Sequence, residues 1–320
     1  MKRIAAILAG ALAILASPMA SAQAYPTRPI KIIVAYAPGQ GTDTATRYLA
    51  EILAKDIGQP IVVENRAGAG GNLGTSAAAQ AQGDGYTLTM GTNATHVLNQ
   101  YLYPKLTYDA DKDFEPIVLV GTFPMVLAVS ASTPLNSALD MVTAVQQKSR
   151  NFDIAMPSTS ARLVVELLKE HSGAPLVGIP YKGSGNAMTD VIGGQLPVIV
   201  DTPTALKPQL AAGKVRALGV TSIQPSKLMP GVKTIAEQGF GRFDLVAWNA
   251  LYAPRGTKPA IVNFLNAAMN KILARPEVKQ RLLEMGFEAA GGTPGELRDF
   301  ARAERRKWEP LIRSAGIKAD

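Results

Sequence analysis

Three times in this chain an apolar run of strand-forming residues ends in a glycine loop, and that repeated arrangement limits the fold more than any other feature. Residues 30–37 lead into Pro38-Gly39-Gln40-Gly41-Thr42-Asp43. The run Ile61-Val62-Val63 leads into Glu64-Asn65-Arg66-Ala67-Gly68-Ala69-Gly70-Gly71-Asn72-Leu73-Gly74 and then an alanine-rich stretch at 75–81. Residues 177–181 lead into Lys182-Gly183-Ser184-Gly185. Each reads as strand, loop, helix. Glycine lets backbone N–H groups approach a ligand closely, and a helix N-terminus adds a field that favours negative charge. A single loop of this kind reads equally well as a tight strand-to-helix turn. Three at strand ends point to a site for a small anion built from backbone amides.

A dinucleotide site is the obvious competitor, and its spacing fails. Counting G-x-G-x-x-G from Gly68 requires glycine where Leu73 stands; Gly74 comes one residue late. No G-x-x-x-x-G-K-[ST] sequence occurs either, so a P-loop is also excluded.

The N-terminus reads as an export signal. Met1-Lys2-Arg3 is a positive start, residues 4–16 are apolar, and Ala20-Ser21-Ala22 and Ala22-Gln23-Ala24 are two alternative cleavage motifs. The apolar run is short for a membrane span and has signal-peptide flanks, so residues 1–24 are set aside from the fold. The chain has no cysteine, hence no disulfide and no acceptor for a lipoprotein anchor. A soluble periplasmic protein is expected, stabilised by its core alone. Without Lys2 and Arg3 the net charge of +8 falls to +6, a modest excess that would steer anions towards the surface. Nucleic acid is not the expected partner, because the basic residues are scattered and no aromatic-laced basic stripe occurs. The one dense cluster, 302–307, reads as the solvated face of a helix.

Short β-branched runs alternate with helical patterns, the mark of an α/β fold. After a cap at Thr42, Tyr48, Leu49, Ile52 and Leu53 form a helical stripe. Strands are expected at 87–90, 117–120, 125–129, 152–155, 177–179, 197–200 and 216–221, with helices at 137–147 and 162–171. Helices are also expected at 259–274 and 276–285, and Thr293-Pro294-Gly295-Glu296 reads as a capping box opening another. No soft linker divides the chain, although its length suits two lobes.

Catalytic chemistry is missing from the pattern. With two histidines, His96 and His171, and no cysteine, zinc-type ligand spacing cannot be assembled. No G-x-S-x-G elbow occurs, and nothing pairs the carboxylates of Asp43 and Asp201. The reading is therefore of a protein that is not an enzyme, with no catalytic residue, no metal site and no cofactor. His171, at a helix end, reads as structural. His96, beyond a strand end, reads either as a ligand-side residue or as a capping or packing one.

With these residues in view, the chain resembles the substrate-binding receptors of tripartite tricarboxylate transporters, the Bug family. The likeness runs through Tyr25-Pro26-Thr27-Arg28-Pro29-Ile30, the loop 38–43, Val63-Glu64-Asn65-Arg66-Ala67-Gly68-Ala69-Gly70-Gly71-Asn72, Asp84-Gly85-Tyr86-Thr87-Leu88 and Gly91-Thr92. It continues through Pro180-Tyr181-Lys182-Gly183-Ser184, Gly193-Gly194-Gln195, Ala212-Gly213-Lys214-Val215-Arg216-Ala217-Leu218 and Ala253-Pro254. The resemblance implies an α/β periplasmic binding protein of two lobes, a type II-like Venus flytrap with a ligand cleft between them. Lobe 1 would comprise 25–122 plus 246–320, and lobe 2 would comprise 123–245. The protein would act as a monomer, bind a small carboxylate and deliver it to membrane permease subunits. An alternative keeps the fold but presents the carboxylate to a membrane sensor kinase.

The resemblance also implies a ligand set. On lobe 1 it points to Ala37, Gly39, Gln40, Gly41, Thr42 and Asp43, to Ala69, Gly70, Gly71 and Asn72, and to Thr92, Asn93 and His96. On lobe 2 it points to Ser158, Thr159, Ser160, Lys182, Gly183, Ser184 and Asp201. Asp43 is expected to fix the first loop or hold water rather than contact ligand. Asp201 reads either as an acceptor for a ligand amino or hydroxyl group or as a cap for a helix beginning near Thr204. Two departures from the family fall at the cleft: Met156-Pro157-Ser158-Thr159-Ser160-Ala161-Arg162 replaces a glycine-rich turn with histidine, and Gln40 stands where glycine is common. Arg162 reads as a surface residue or, if it faces the cleft, as the partner of a second negative group.

Overall fold

The computed structural model describes residues 25–148, 152–314 and 316–318; the expected signal peptide lies outside them. In chain order the elements are β1 (Ile30–Val34), α1 (Gly41–Ile57), β2 (Ile61–Asn65), α2 (Asn72–Ala79), β3 (Thr87–Thr92), a π-helical turn (Ala94–Leu98) running into α3 (Asn99–Leu102), and β4 (Phe114–Pro124). Then follow β5 (Val126–Ser130), α4 (Ala138–Gln146), β6 (Asp153–Met156), α5 (Thr159–Ser172), β7 (Val177–Pro180), α6 (Ser184–Ile192), β8 (Val198–Asp201), α7 (Pro203–Ala211) and β9 (Val215–Val220). The chain closes with β10 (Val246–Pro254), α8 (Pro259–Leu273), α9 (Pro276–Glu284), β11 (Glu288–Gly291) and α10 (Pro294–Ser314).

These strands build two mixed sheets, one for each lobe of an α/β fold. The first has the order β11-β4-β10-β3-β1-β2, and the second β7-β6-β8-β5-β9. Strands β1, β2 and β3 are parallel, whereas β10 runs antiparallel to both β3 and β4. In the second sheet β6 is parallel to β7 and β8, and β5 is antiparallel to β8 and β9. Strands flanked by helices on both faces need continuous apolar sequence, and β5 (Val-Leu-Ala-Val-Ser) and β8 (Val-Ile-Val-Asp) are buried throughout.

The chain passes from the first sheet to the second at Met125, and back through Leu245. Thr221 stitches both crossings. Its hydroxyl accepts from Met125 N (2.8 Å) and donates to Leu245 O (2.6 Å), while Leu245 N donates to the Thr221 carbonyl (2.8 Å). Thr221 is fully buried, so no water competes for these bonds. The expected border between 122 and 123 falls inside β4, which stays in the first sheet through Pro124.

Three local expectations change. Strand β10 occupies 246–254 inside the first sheet, although 246–254 is not among the expected strands. Thr42 lies within the first turn of α1, and Gln40 is the N-cap. The cluster 302–307 is not wholly solvated: Arg305 is mostly buried, pairs with Asp111 (2.7 Å) and donates to the His96 carbonyl (3.2 Å). The capping box is present, with Thr293 N donating to Glu296 (2.7 Å) and Glu296 N to the Thr293 hydroxyl (3.2 Å). Among the described residues no helix is long and apolar enough to cross a membrane.

Candidate functional site

The first residues of five helical segments line one cavity between the sheets. Gln40, Gly41 and Thr42 begin α1 after β1; Asn93 and Ala94 begin the π-helical turn after β3. From the second sheet, Ser158 and Ser160 begin α5, Ser184 begins α6 and Thr202 caps α7. Each segment leaves its leading N–H groups without intrahelical acceptors, and each carries the positive end of its dipole to the same place. Tyr36, Phe123, Met125, Pro157, Ala247 and Phe287 supply apolar wall. The cavity has a volume of ≈ 70 Å³.

Among the described residues no lysine, arginine or histidine lines this cavity, and its one carboxylate is Asp201. Asp201 Oδ1 accepts from Thr202 N (2.7 Å) and the Ser184 hydroxyl (3.1 Å). Its Oδ2 is buried without a partner. Burial pushes the carboxyl up to about 6 against the hydrogen bonds from Thr202 and Ser184. Asp201 is not the helix cap: the Thr202 hydroxyl accepts from Ala205 N (3.3 Å) and performs that role. Asn249 of β10 also lines the cavity; its Oδ1 accepts from the Thr42 hydroxyl (3.4 Å), and its buried Nδ2 has no partner among the described residues. The Tyr36 hydroxyl pairs with Thr92 (2.8 Å), and burial pushes the phenol up to about 12, so it stays neutral.

Several contacts join the lobes, two of them beside the cavity. Asn93 Nδ2 donates to the Ser160 hydroxyl (3.1 Å). Gly183 lies so close to Gln40 that a Cβ would stand 2.8 Å from its Nε2. Glycine at 183 allows the third loop to meet the first.

Of the residues singled out in the sequence, Gln40, Gly41, Thr42, Thr92, Asn93, Ser158, Ser160, Ser184 and Asp201 line the cavity; Ala37, Gly39, Asp43, Ala69, Gly70, Gly71, Asn72, His96, Thr159, Arg162, Lys182 and Gly183 do not. Several of the second group have other employment. The Asp43 carboxylate accepts from Gly39 N (2.8 Å), Arg47 (2.9 Å) and Asn65 (2.8 Å). Burial alone would raise its pKa, but these bonds outweigh burial and lower it. Asp43 therefore fixes the first loop through its carboxylate.

The second glycine loop supports the cleft from behind. Gly70 (φ 62°) would bring a Cβ into the Tyr103 hydroxyl and to 3.2 Å from Thr159 of α5, and Gly71 (φ 94°) would bring one to 2.7 Å from Thr95. Asn72 Oδ1 is taken by Asn99 Nδ2 (2.6 Å) and the Tyr108 hydroxyl (3.0 Å). Asn72 thus holds the loop to the start of α3. His96 is fully buried and stacked on Tyr252 at 4.1 Å between centroids. Burial, with Arg305 nearby, lowers its pKa to about 3, so it is a neutral packing residue. Lys182 is exposed and Arg162 half-buried on α5.

Asn249, Thr202, Phe123, Met125 and Phe287 escaped the sequence reading. One signal was available for Asn249: it is the single polar residue inside the otherwise apolar run 246–254.

Comparison with known proteins agrees with this architecture. The family model for the tripartite tricarboxylate transporter family receptor matches residues 45–317. The protein BugT of Bordetella pertussis is 37% identical over 303 residues, covering 93% of this chain and 92% of BugT. The structure of R. palustris Rpa4515 with adipate superposes with a TM-score of 0.88 at 32% identity, covering 92% of this chain and 99% of that one. MatC (Rpa3494) from Rhodopseudomonas palustris with bound malate gives a TM-score of 0.83 at 32% identity, covering 90% of this chain and 100% of that one.

Proposed function

We propose, since the chain belongs to the tripartite tricarboxylate transporter receptor family, that it is a periplasmic solute receptor which binds a small carboxylate and delivers it to the membrane subunits of such a transporter. As a member of a receptor family it is a binding protein rather than an enzyme. The observation that carries the ligand class is the convergence of five helical N-termini on one cavity that no basic side chain lines. Preoriented N–H groups and dipoles stabilise a carboxylate without the desolvation cost of a buried lysine or arginine. The adipate and malate held by the two R. palustris proteins support the same class.

On this reading the two sheets are the rigid cores of lobes that close on the ligand. Lobe 1 contains β1–β4, β10 and β11, lobe 2 contains β5–β9, and the hinge lies at Met125 and Leu245. The Thr221 stitch allows rotation while keeping the crossings in register, as hinge closure requires. Delivery to a permease then depends on the closed form being distinguishable at the rim, where Gln40 and Gly183 meet.

A thermal-shift screen of the mature protein tests the ligand class. Aliphatic and aromatic mono-, di- and tricarboxylates are compared with neutral sugars. A ligand at a hundredfold excess over its Kd stabilises the fold by roughly 2.7 kcal/mol. Shifts confined to carboxylates are expected; a shift with sugars and none across the carboxylate panel would overturn the proposal.

A further inference from the structure

Two polar atoms of the cleft are buried with no hydrogen-bond partner among the described residues, and they are complementary. Asp201 Oδ2 is an acceptor on β8 of the second sheet, and Asn249 Nδ2 is a donor on β10 of the first. Both residues are 1% exposed and both line the cavity. Buried polar groups in folded proteins are nearly always satisfied, because an unpaired one loses its water without replacement. Tool-marks of the fold show that neither position is incidental. The pairing of β10 with β4 slips in register between Asn249 and Ala250, an irregularity of the kind that re-aims a side chain beside a site. Asp201 is pinned by Thr202 N and Ser184 through the other oxygen, which leaves Oδ2 fixed in place.

We infer that Asp201 Oδ2 and Asn249 Nδ2 read a hydroxyl-bearing carboxylate, the hydroxyl donating to Asp201 and an oxygen of the same molecule accepting from Asn249. The inference rests on the carboxylate reading above and narrows it to hydroxy acids. The field selects the hydroxyl: the helical N-termini bring positive potential to this cavity, which opposes an ammonium and leaves a neutral donor for the open lone pairs of Asp201 Oδ2. The Asn249 carbonyl oxygen is already engaged by Thr42. A hydroxyl also separates the ligand's carboxylate from that of Asp201, which otherwise repel in a site without a cation. Burial has already pushed the Asp201 carboxyl up to about 6, the response expected of a group awaiting a donor. Because the two atoms belong to different sheets, the ligand that satisfies both also ties the lobes together. Ligand identity and closure are then read by one pair of residues.

Calorimetric titration with matched acids tests this. Malate is compared with 2-fluorosuccinate and succinate, and lactate with 2-fluoropropionate and propionate. Fluorine keeps nearly the size of the hydroxyl but donates nothing. Sites built to bind a substrate hydroxyl reject analogues lacking it strongly, so the hydroxy acid of a skeleton that binds is expected to be at least roughly tenfold tighter than both analogues. In Asp201→Asn, whose amide places a donor at the Oδ2 position, that gap is expected to fall below about threefold. Equal binding of hydroxy and fluoro acids, or a gap that survives in Asp201→Asn, overturns the inference while leaving the carboxylate reading intact. Binding of unsubstituted acids alone does the same. Failure of every carboxylate in the wider screen overturns both. Should Asp201→Asn not fold, the wild-type comparison of hydroxy and fluoro acids decides the matter.

Discussion

Replacing Asp201 by asparagine is expected to stabilise the ligand-free protein at neutral and alkaline pH, although the residue is placed in the binding cleft. The charged carboxylate has one oxygen buried without a donor, and burial raises its pKa from 3.8 to about 6. That displacement corresponds to about 3 kcal/mol against the charged form. The sign follows from proton counting. Between 3.8 and about 6 the folded state holds a proton that the unfolded state has released, so this contribution to stability falls as pH rises and stays at its minimum above that window. An amide mimics the neutral form at every pH and still accepts from Thr202 and Ser184. The expected gain at about pH 8 is about 1–3 kcal/mol, the lower end reflecting an amide N–H that inherits the unpartnered position. For a chain of this size that raises Tm by up to about 5 °C. Refolded, ligand-free wild type and variant are compared by thermal melts at about pH 8 and again at about pH 4. The difference should shrink towards zero in acid. A variant that melts lower at alkaline pH, or a difference independent of pH, would refute the reasoning.

Three further outcomes follow from the packing around the cleft. Asn72→Ala should destabilise the ligand-free protein by about 1–3 kcal/mol, because one hydrogen of the buried Asn99 Nδ2 loses its acceptor while the Tyr108 hydroxyl keeps the Thr95 carbonyl; urea melts beside titrations would show stability falling with affinity little changed, and the opposite pattern would return Asn72 to the ligand shell. Gly70→Ala should weaken binding, since a Cβ there overlaps the Tyr103 hydroxyl and crowds Thr159 across the cleft; adding Tyr103→Phe should restore part of the affinity, and the absence of any rescue would rule out that contact as the cause. Asp43→Ala should cost about 1–3 kcal/mol by leaving Gly39 N without its acceptor and taking one of two acceptors from Asn65 Nδ2. The lowered pKa of Asp43 means its contribution is present above the ordinary carboxylate range and is lost as pH falls through its folded value; a variant matching wild type in melts near neutral pH would contradict this.

What was legible in the sequence was mostly local. Strands such as Ile30–Val34 and Val126–Ser130 are apolar runs, and the Thr293–Glu296 capping box is written in four adjacent residues. The first and third glycine loops were readable as strand-end loops opening helices, but that they meet depends on how the two sheets face each other. What escaped depends on pairings distant in sequence. Strand β10 is a strand because β3 and β4, more than a hundred residues earlier, flank it. Asn249 enters the cleft by that route alone. His96 resembled a ligand residue until Tyr252 and Phe114 closed over it. Asp201 kept two readings because its neighbour Thr202 could equally cap α7, and only geometry gives Thr202 that task.

On the proposed function, a carboxylate sits among the leading residues of the five helical segments, between the two sheets. A crystal structure of the mature protein with the tightest-binding acid from the screen measures this directly. The account predicts carboxylate oxygens within about 3 Å of backbone N–H groups near Gly41, Thr42 or Ser160, bound directly or through one water, with Asn249 and Asp201 reaching the same molecule. An acid found elsewhere, for instance paired with Arg47 or Lys55 on the outer groove beside β2, would contradict it.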